Sequence, residues 1–437
     1  MTLHRPHPLS DGKGAYRGRL LVVVVLTGVG AGVGGIVLTL LLHLVQHLAY
    51  GYTEQSFLTG VERASPARRV MVMALGGLTV GSGWYLLRRW TAPLQPLTEL
   101  LARPAGPVRI RVASVDAALQ IAAVGFGASL GREGAPRQVG AAFGGWLAER
   151  GGLTGDHRRT VLACGAGAGL AAVYNVPLGG ALFTLEVLLH SARPRHVVPA
   201  GLTSAIATVV AWIALPNLPT YEVPDFGLSG PAVAFGVLVG PLAGGAGVLF
   251  LQLIRTARSS TATRWHLPIA TTVVFAAVGA ASAVYPQLLG NGKGLTQVAF
   301  DGSLGLPALA ALVVLKPLVT AGCLSSGASG GLLTPSLATG AVLGALAGRL
   351  WSLLWPGTPI GVFALIAAAA VLATTLRAPI CATVLVLEFT HSGPALILPM
   401  LLAVAGAATT AALLTPTADS RGPWQPARTG AVPDLRC

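Results

Sequence analysis

Apolar residues in this chain fall into blocks separated by short polar joints, without the sustained alternation that marks a half-buried strand. The blocks run at about 20–48, 69–88, 112–130, 136–149, 158–173, 177–190, 198–215, 229–255, 268–286, 306–323, 331–353, 359–374, 379–390 and 395–414. Several reach the roughly 20 residues an α-helix needs to cross a bilayer, and others are much shorter. Short apolar helices broken by Gly or Pro fit re-entrant half-helices, which a membrane tolerates only where protein or an aqueous path surrounds them. The pattern predicts an all-α polytopic membrane protein of tilted, partly re-entrant helices. The first block, Leu20 to Tyr50, is too long for a signal-peptide core and lacks a cleavage site, so it reads as a retained first helix. Residues 1–18 read as a basic cytoplasmic tail, 19–415 as the transmembrane domain and 416–437 as a flexible tail containing Pro and Arg, with no regulatory domain expected.

Composition sharpens this. Charged residues make up 10% of the chain and hydrophobic residues 53%, against about 25% charged in a typical soluble domain. So few charges cannot cover a water-facing surface, and lipid must be the solvent for much of it. The net charge of +14 would suggest nucleic acid as the partner of a soluble protein. Here the basic residues lie at the ends and in short joints: Arg5, Lys13, Arg17, Arg19, Arg88, Arg89, Arg158, Arg159, Arg193, Arg195 and Arg421. That distribution fits the retention of positive residues in the cytoplasm. It predicts both termini inside the cell, an even number of crossings of the plasma membrane and no nucleic-acid partner. Cys164, Cys323, Cys381 and Cys437 form no CxxC or Cys/His cluster, and the nine His include no HExxH. No enzyme, metal site or cofactor is expected.

The chain repeats itself. LAAVYNVPLGGALFTLE (Leu170 to Glu186) and LATTLRAPICATVLVLE (Leu372 to Glu388) each place Glu nine residues after Pro. Upstream, Gly140 and Gly144 match Gly340 and Gly344, and Gly131 before Pro136 matches Gly331 before Pro335. Two related halves, about 19–215 and 229–415, are joined by a Pro-containing linker, Leu215 to Pro231. Paired short, glycine-interrupted segments in repeated halves point to a site where the halves meet near the bilayer midplane.

Candidate chemistry sits in those segments. In GREGAP (Gly131 to Pro136), glycines flank two charges after an apolar run, and Pro136 suits a first helical turn. The first N–H groups of a helix lack partners and carry a partial positive charge of about half a unit, so this start attracts an anion. The Glu133 carboxylate fits the same place, either as a helix cap or as a gate that protonation opens. Arg132 lines the entrance or forms a salt bridge. SSGASGGLLTPSLATG (Ser325 to Gly340) predicts a second helix start, with the N–H groups of Leu332, Leu333 and Thr334 facing the turn before it. Glu186 and Glu388 lie in apolar helices, where an ionised carboxylate costs at least a few kcal/mol. They are either a proton relay or structural groups bonded to backbone amides, and their presence in both repeats favours the structural role. Lys316 is a candidate attractor for anions or a partner for a buried Glu.

Together GREGAP, AGAGLAAVYNVPLGGALFTLE, SSGASGGLLTPSLATG and RAPICATVLVLEFT, in this order, resemble the CLC chloride channel and anion/proton antiporter family from about residue 70 to 415. The resemblance implies a homodimer with one ion path per subunit, built from two inverted halves of broken helices. It implies Glu133 as the external gating glutamate, with the anion bound by backbone amides around Gly131, Arg132, Gly134, Leu332, Leu333 and Thr334. The sequence also departs from the family. Ala92 to Leu100 lacks the serine expected there, Ala135 intervenes before Pro136, and Leu333 replaces the usual Phe. The C-terminal tyrosine has no counterpart, the last Tyr being Tyr285, and Val187 occupies the second of two acidic positions used for internal proton transfer. The resulting expectation is transport of small anions, chloride first, through a glutamate-gated channel or a weakly proton-coupled exchanger. A fluoride/proton antiporter of the same family is the alternative. A proton- or cation-coupled solute transporter using Glu186 and Glu388 is the alternative from another class.

Overall fold

A computed structural model describes residues 13–51, 56–92, 96–102, 108–262 and 265–415. The first half contains α1 (Lys13–Tyr50), α2 (Phe57–Arg63), α3 (Pro66–Trp90), α4 (Leu97–Ala102), α5 (Ile110–Phe126), α6 (Gly134–Arg150), α7 (Gly155–Tyr174), α8 (Pro177–Leu182, continuing as a π-helix over Phe183–Leu189) and α9 (Pro194–Ala211). The second contains α10 (Gly230–Ser259), α11 (His266–Ala281), α12 (Lys293–Phe300), α13 (Leu306–Ser325), α14 (Leu333–Leu354), α15 (Ile360–Leu376), α16 (Pro379–Thr390) and α17 (Ile397–Leu414). Among the described residues, six helical stretches are long and apolar enough to cross a membrane, and shorter apolar helices lie between them. The protein is a multi-pass membrane protein.

Hydropathy located most of these helices. It missed α2, α4 and α12, which are short and of mixed polarity. The tail boundary at residue 18 also shifts, because α1 already begins at Lys13. A helix leaving the membrane keeps its own backbone bonds, and its second turn holds Arg17 and Arg19 exposed. The tail calls for residues 1–12 and 416–437, including Cys437, lie outside the described residues, as do residues 93–95 of the stretch Ala92 to Leu100. Cys164, Cys323 and Cys381 are buried free thiols.

The two halves share one plan. In register, α1, α3, α5, α6, α7, α8 and α9 correspond to α10, α11, α13, α14, α15, α16 and α17, and equivalent helices take equivalent neighbours. Among the described residues, the non-glycine residues with positive φ form matched pairs. Asn175 and Arg377 end α7 and α15, and His190 and His391 end the α8 stretch and α16. His190 follows Glu186 by four residues while His391 follows Glu388 by three. The π-helix absorbs the extra residue, since its wider turn takes up an insertion without moving the ends. α15 is buried along nearly its whole length, whereas α1, α3, α10 and α17 expose Leu40, Leu75, Leu249 and Leu413 on their outer faces. Apolar side chains facing outward are what lipid requires.

Small residues let the helices cross closely. A Cβ on Gly140 of α6 would meet the carbonyl of Gly165 on α7, and one on Gly340 of α14 would meet the backbone of Ala368 on α15. In lipid no hydrophobic force draws helices together, so close backbone packing has to supply the attraction. Polar contacts then tie the halves across their two-fold relation. Gly131 N–H donates to Gly331 O and Gly331 N–H to Gly131 O, each at 2.8 Å, forming an isolated antiparallel bridge. Glu388 accepts from the N–H groups of Leu178 (2.9 Å) and Gly179 (2.6 Å) at the start of α8. In return Glu186 accepts from Ile380 (3.3 Å) and Cys381 (2.6 Å) at the start of α16. Each half caps a helix of the other. The exchange is antiparallel throughout, as inverted repeats demand.

Two outcomes follow from this packing. Gly140→Val should remove monodisperse folded protein or lower its thermal midpoint sharply in detergent, while Gly245→Ala, which meets nothing within 4 Å, should leave it unchanged. Glu186→Gln and Glu388→Gln should each cost about 1–3 kcal/mol, because a neutral amide leaves one buried N–H without an acceptor. Equal thermal midpoints for these two variants and the parent would contradict the capping role.

Candidate functional site

The site forms where α6 and α14 begin. Gly131 and Gly331 sit back to back in the bridge, so the chain enters both helices from one point at the boundary of the halves. Glycine at both leaves room for the Glu133 side chain: a Cβ on either would run into its carboxylate in this position. Gly134 opens α6 just after Glu133, with Gly331 N only 3.2 Å from where its Cβ would lie. The predicted helix starts are therefore present, and the bridge makes them meet.

Glu133 is fully buried at 0% exposure. Its carboxylate reaches across to the other half. Oε1 accepts from the N–H of Leu333 at 2.6 Å, and Oε2 accepts from the Thr334 hydroxyl at 3.1 Å and the Tyr174 hydroxyl at 3.4 Å. Tyr174 and Thr334 are also joined, at 2.9 Å. Leu332 is the N-cap residue of α14, so the carboxylate lies at the positive end of a 22-residue helix. Glu133 caps a helix, but the helix is α14 in the other half rather than its own α6, where its side chain makes no capping bond.

The six residues assigned to anion binding divide by geometry. Leu333 supplies an amide and Thr334 adds a hydroxyl to the amide expected of it. Gly131 already spends its N–H on Gly331, so its contribution is room. Arg132 holds its guanidinium 4.8 Å from the centre of the Tyr174 ring and reaches Val173 O at 3.4 Å, without a carboxylate partner in either contact. Gly134 and Leu332 shape the two helix starts.

Sequence reading missed Tyr174 and Arg137. Tyr174 was legible as a break in the repeat, because its equivalent, Leu376, has no hydroxyl. Arg137 is buried one turn into α6 and donates from Nε to the Glu133 carbonyl at 3.0 Å, which fixes the backbone that carries the carboxylate. Its charge also stacks over Phe183 at 5.1 Å. Nothing in the spacing signalled that arginine's direction. Lys316 is fully buried and donates to Leu288 O (3.2 Å) and Gly290 O (2.9 Å), so the expectation of a glutamate partner is corrected: carbonyls disperse its charge. Glu186 and Glu388 lie apart from Glu133 in the reciprocal caps, and Val187 is a half-buried residue against the apolar core.

A carboxylate held only by neutral donors and a helix end is exchangeable. The same donors suit a small monovalent anion, and withdrawal of Glu133 would leave the Leu333 N–H without its acceptor while Tyr174 and Thr334 keep their bond to each other.

Comparison with known proteins identifies the family. The chain matches the family model described as voltage gated chloride channel over residues 77–412. It is 33% identical over 350 residues to a ClcB-like protein of Ralstonia nicotianae, covering 77% of this chain and 80% of that one. It is 33% identical over 307 residues to the H(+)/Cl(-) exchange transporter ClcA of Vibrio campbellii, covering 67% of this chain and 64% of that one. Among solved structures, the fold resembles that of a slow cyanobacterial Cl-/H+ antiporter, with a TM-score of 0.81, 20% identity and 97% of each chain covered. It also resembles a CLC-type fluoride/proton antiporter, with a TM-score of 0.68, 21% identity and coverage of 90% of this chain and 95% of that one. The family model spans α3 to α17 and so includes both helix starts and the linker between the halves: the chain belongs to the voltage-gated chloride channel (CLC) family.

Proposed function

We propose that this protein carries small anions, chloride first, across the cell membrane through a path that Glu133 closes and opens. The observation that carries the reading is the position of the Glu133 carboxylate on Leu333 N–H and the Thr334 and Tyr174 hydroxyls. A carboxylate in that place is a tethered competitor for the mobile anion. Protonation removes its charge and weakens its hold, and the donors then replace part of the water shell of an incoming anion. Because the donors are neutral, the anion also leaves readily.

The protein works as a homodimer with one path in each protomer, and both termini face the cytoplasm, in keeping with the basic residues before α1. Val187 offers no proton acceptor at the inner acidic position, so anion movement is coupled weakly to protons. A cation-coupled solute transporter would need free carboxylates on its path. Glu186 and Glu388 are engaged by backbone amides instead. No cofactor takes part in this reading.

The test is anion efflux from proteoliposomes with pH recorded at the same time and with chloride, fluoride and nitrate compared. Wild type should pass chloride faster as pH falls, since protonated Glu133 no longer competes. Glu133→Gln should pass it at a high rate with little pH dependence. Tyr174→Phe, which removes one donor to the shared place, should raise half-saturating chloride by about three- to tenfold, the range expected for one hydrogen bond of ordinary strength. Absence of flux for every anion in both wild type and Glu133→Gln would overturn the reading. Flux of fluoride alone would move the substrate from chloride to fluoride.

A further inference from the structure

The linker between the halves is irregular from residue 216 to 229, and among residues 212–229 only Tyr221 is buried. A connection that long without secondary structure is uncommon in a compact domain. Its bonds converge on the end of α7. The Thr220 hydroxyl donates to Tyr174 O at 3.1 Å. The next residue, Asn175, is the C-cap of α7 at a φ of 57°, and its side chain is held from the same stretch. Its amide donates to Asn217 Oδ1 at 2.8 Å and to Leu218 O at 3.4 Å, and its oxygen accepts from Trp212 Nε1 at 2.9 Å. The last carbonyls of a helix lack partners within it, so Thr220 meets a need that the helix end creates.

The other side of this strap is fixed to the second half. Tyr221 N–H donates to Phe389 O of α16 at 2.9 Å. Glu222 N–H donates to Gln297 Oε1 of α12 at 3.0 Å, and Gln297 Nε2 returns a bond to Glu222 O at 2.6 Å. Asp301 holds Gln297 in turn, at 2.8 Å. The Tyr221 ring lies edge-on against Phe300 and Phe389, and Phe389 packs on the Tyr174 ring with centres 5.4 Å apart. The strap therefore grips Tyr174 twice, directly at its carbonyl and through Phe389 at its ring.

That grip bears on the Glu133 site. The Tyr174 hydroxyl stands 3.4 Å from Glu133 Oε2, at the long limit of a hydrogen bond. At that length a shift of about a few tenths of an ångström at the end of α7 decides whether the bond is made. We infer that Thr220, Asn217 and Gln297 are positioning residues for the anion: they hold the end of α7 so that the Tyr174 hydroxyl faces the place Glu133 occupies. The inference rests on the anion-transport reading of that place. A loop that merely joined the halves would act on stability alone, whereas a positioning strap acts through the Tyr174 hydroxyl and loses its effect when that hydroxyl is gone.

The experiment is a double-mutant cycle on the full chain, with chloride affinity measured calorimetrically in detergent and anion efflux measured in proteoliposomes. Thr220→Val keeps the shape and removes the bond to Tyr174 O. It should weaken chloride binding by about two- to fourfold, less than Tyr174→Phe, because the hydroxyl is displaced rather than removed. In the Tyr174→Phe background the same substitution should change nothing, since effects that pass through one group do not add. Thr220→Ser should restore the parent affinity, and Gln297→Leu, at the far anchor, should show the same dependence on background. Equal losses in the two backgrounds, or no loss in the parent, would overturn the proposal. Should Thr220→Val not fold, Asn217→Ala, at an exposed residue, carries the same cycle. If the cycle couples but liposomes show no flux of any anion, the transport reading fails and the strap stands. If flux is normal and the losses are equal, the strap fails and the transport reading stands.

Discussion

The pair of hydrogen bonds between Gly131 and Gly331 is the constraint on which the rest of the structure depends. Non-helical backbone inside a membrane must find its partners within the protein, because lipid provides none. Each helix start therefore needs the other, and the halves must meet at that point. The bridge then brings the amide end of α14 opposite Glu133, and the two glycines leave space for a carboxylate between them.

The electrostatics are correspondingly mild. Glu133 is bound by one amide and two hydroxyls rather than by a paired cation. A full ion pair in a low-dielectric interior would hold it too firmly to be displaced. The nearby cations are kept busy elsewhere: Arg137 on the Glu133 carbonyl, Arg132 over the Tyr174 ring and Lys316 on two carbonyls. They bias the region toward anions without closing on the carboxylate, a balance suited to traffic rather than storage.

Symmetry separates scaffold from chemistry. Where the halves agree, the residues build: Glu186 with Glu388, Gly140 with Gly340, Asn175 with Arg377. Where they disagree, the residues act or tune. Glu133 stands opposite Leu333, and Tyr174 opposite Leu376. Asp116 stands opposite Lys316: the first accepts from Trp84 and Gln120, the second donates to carbonyls, so equivalent positions in α5 and α13 carry opposite charge. A duplicated frame with unlike residues at equivalent positions yields one polar site, at Glu133, in an otherwise balanced structure.

The residues by themselves determined much. Low charge and long apolar blocks dictated helices in lipid, because only internally bonded backbone survives there. The shared Pro-to-Glu spacing revealed the repeat, and Gly-rich turns before Pro136 and Pro335 marked the two helix starts, since local backbone demands are written in local residues. Glu133 was legible for the same reason. Its partner helix was not: whether a carboxylate caps its own helix or one in the other half depends on contacts some two hundred residues apart in sequence. The same holds for the exchange between Glu186 and Glu388, for Arg137 behind Glu133, and for Tyr174, which reaches the site from a helix end. Periodicity and spacing report what a segment needs, whereas packing across the two-fold relation alone decides which distant group meets that need.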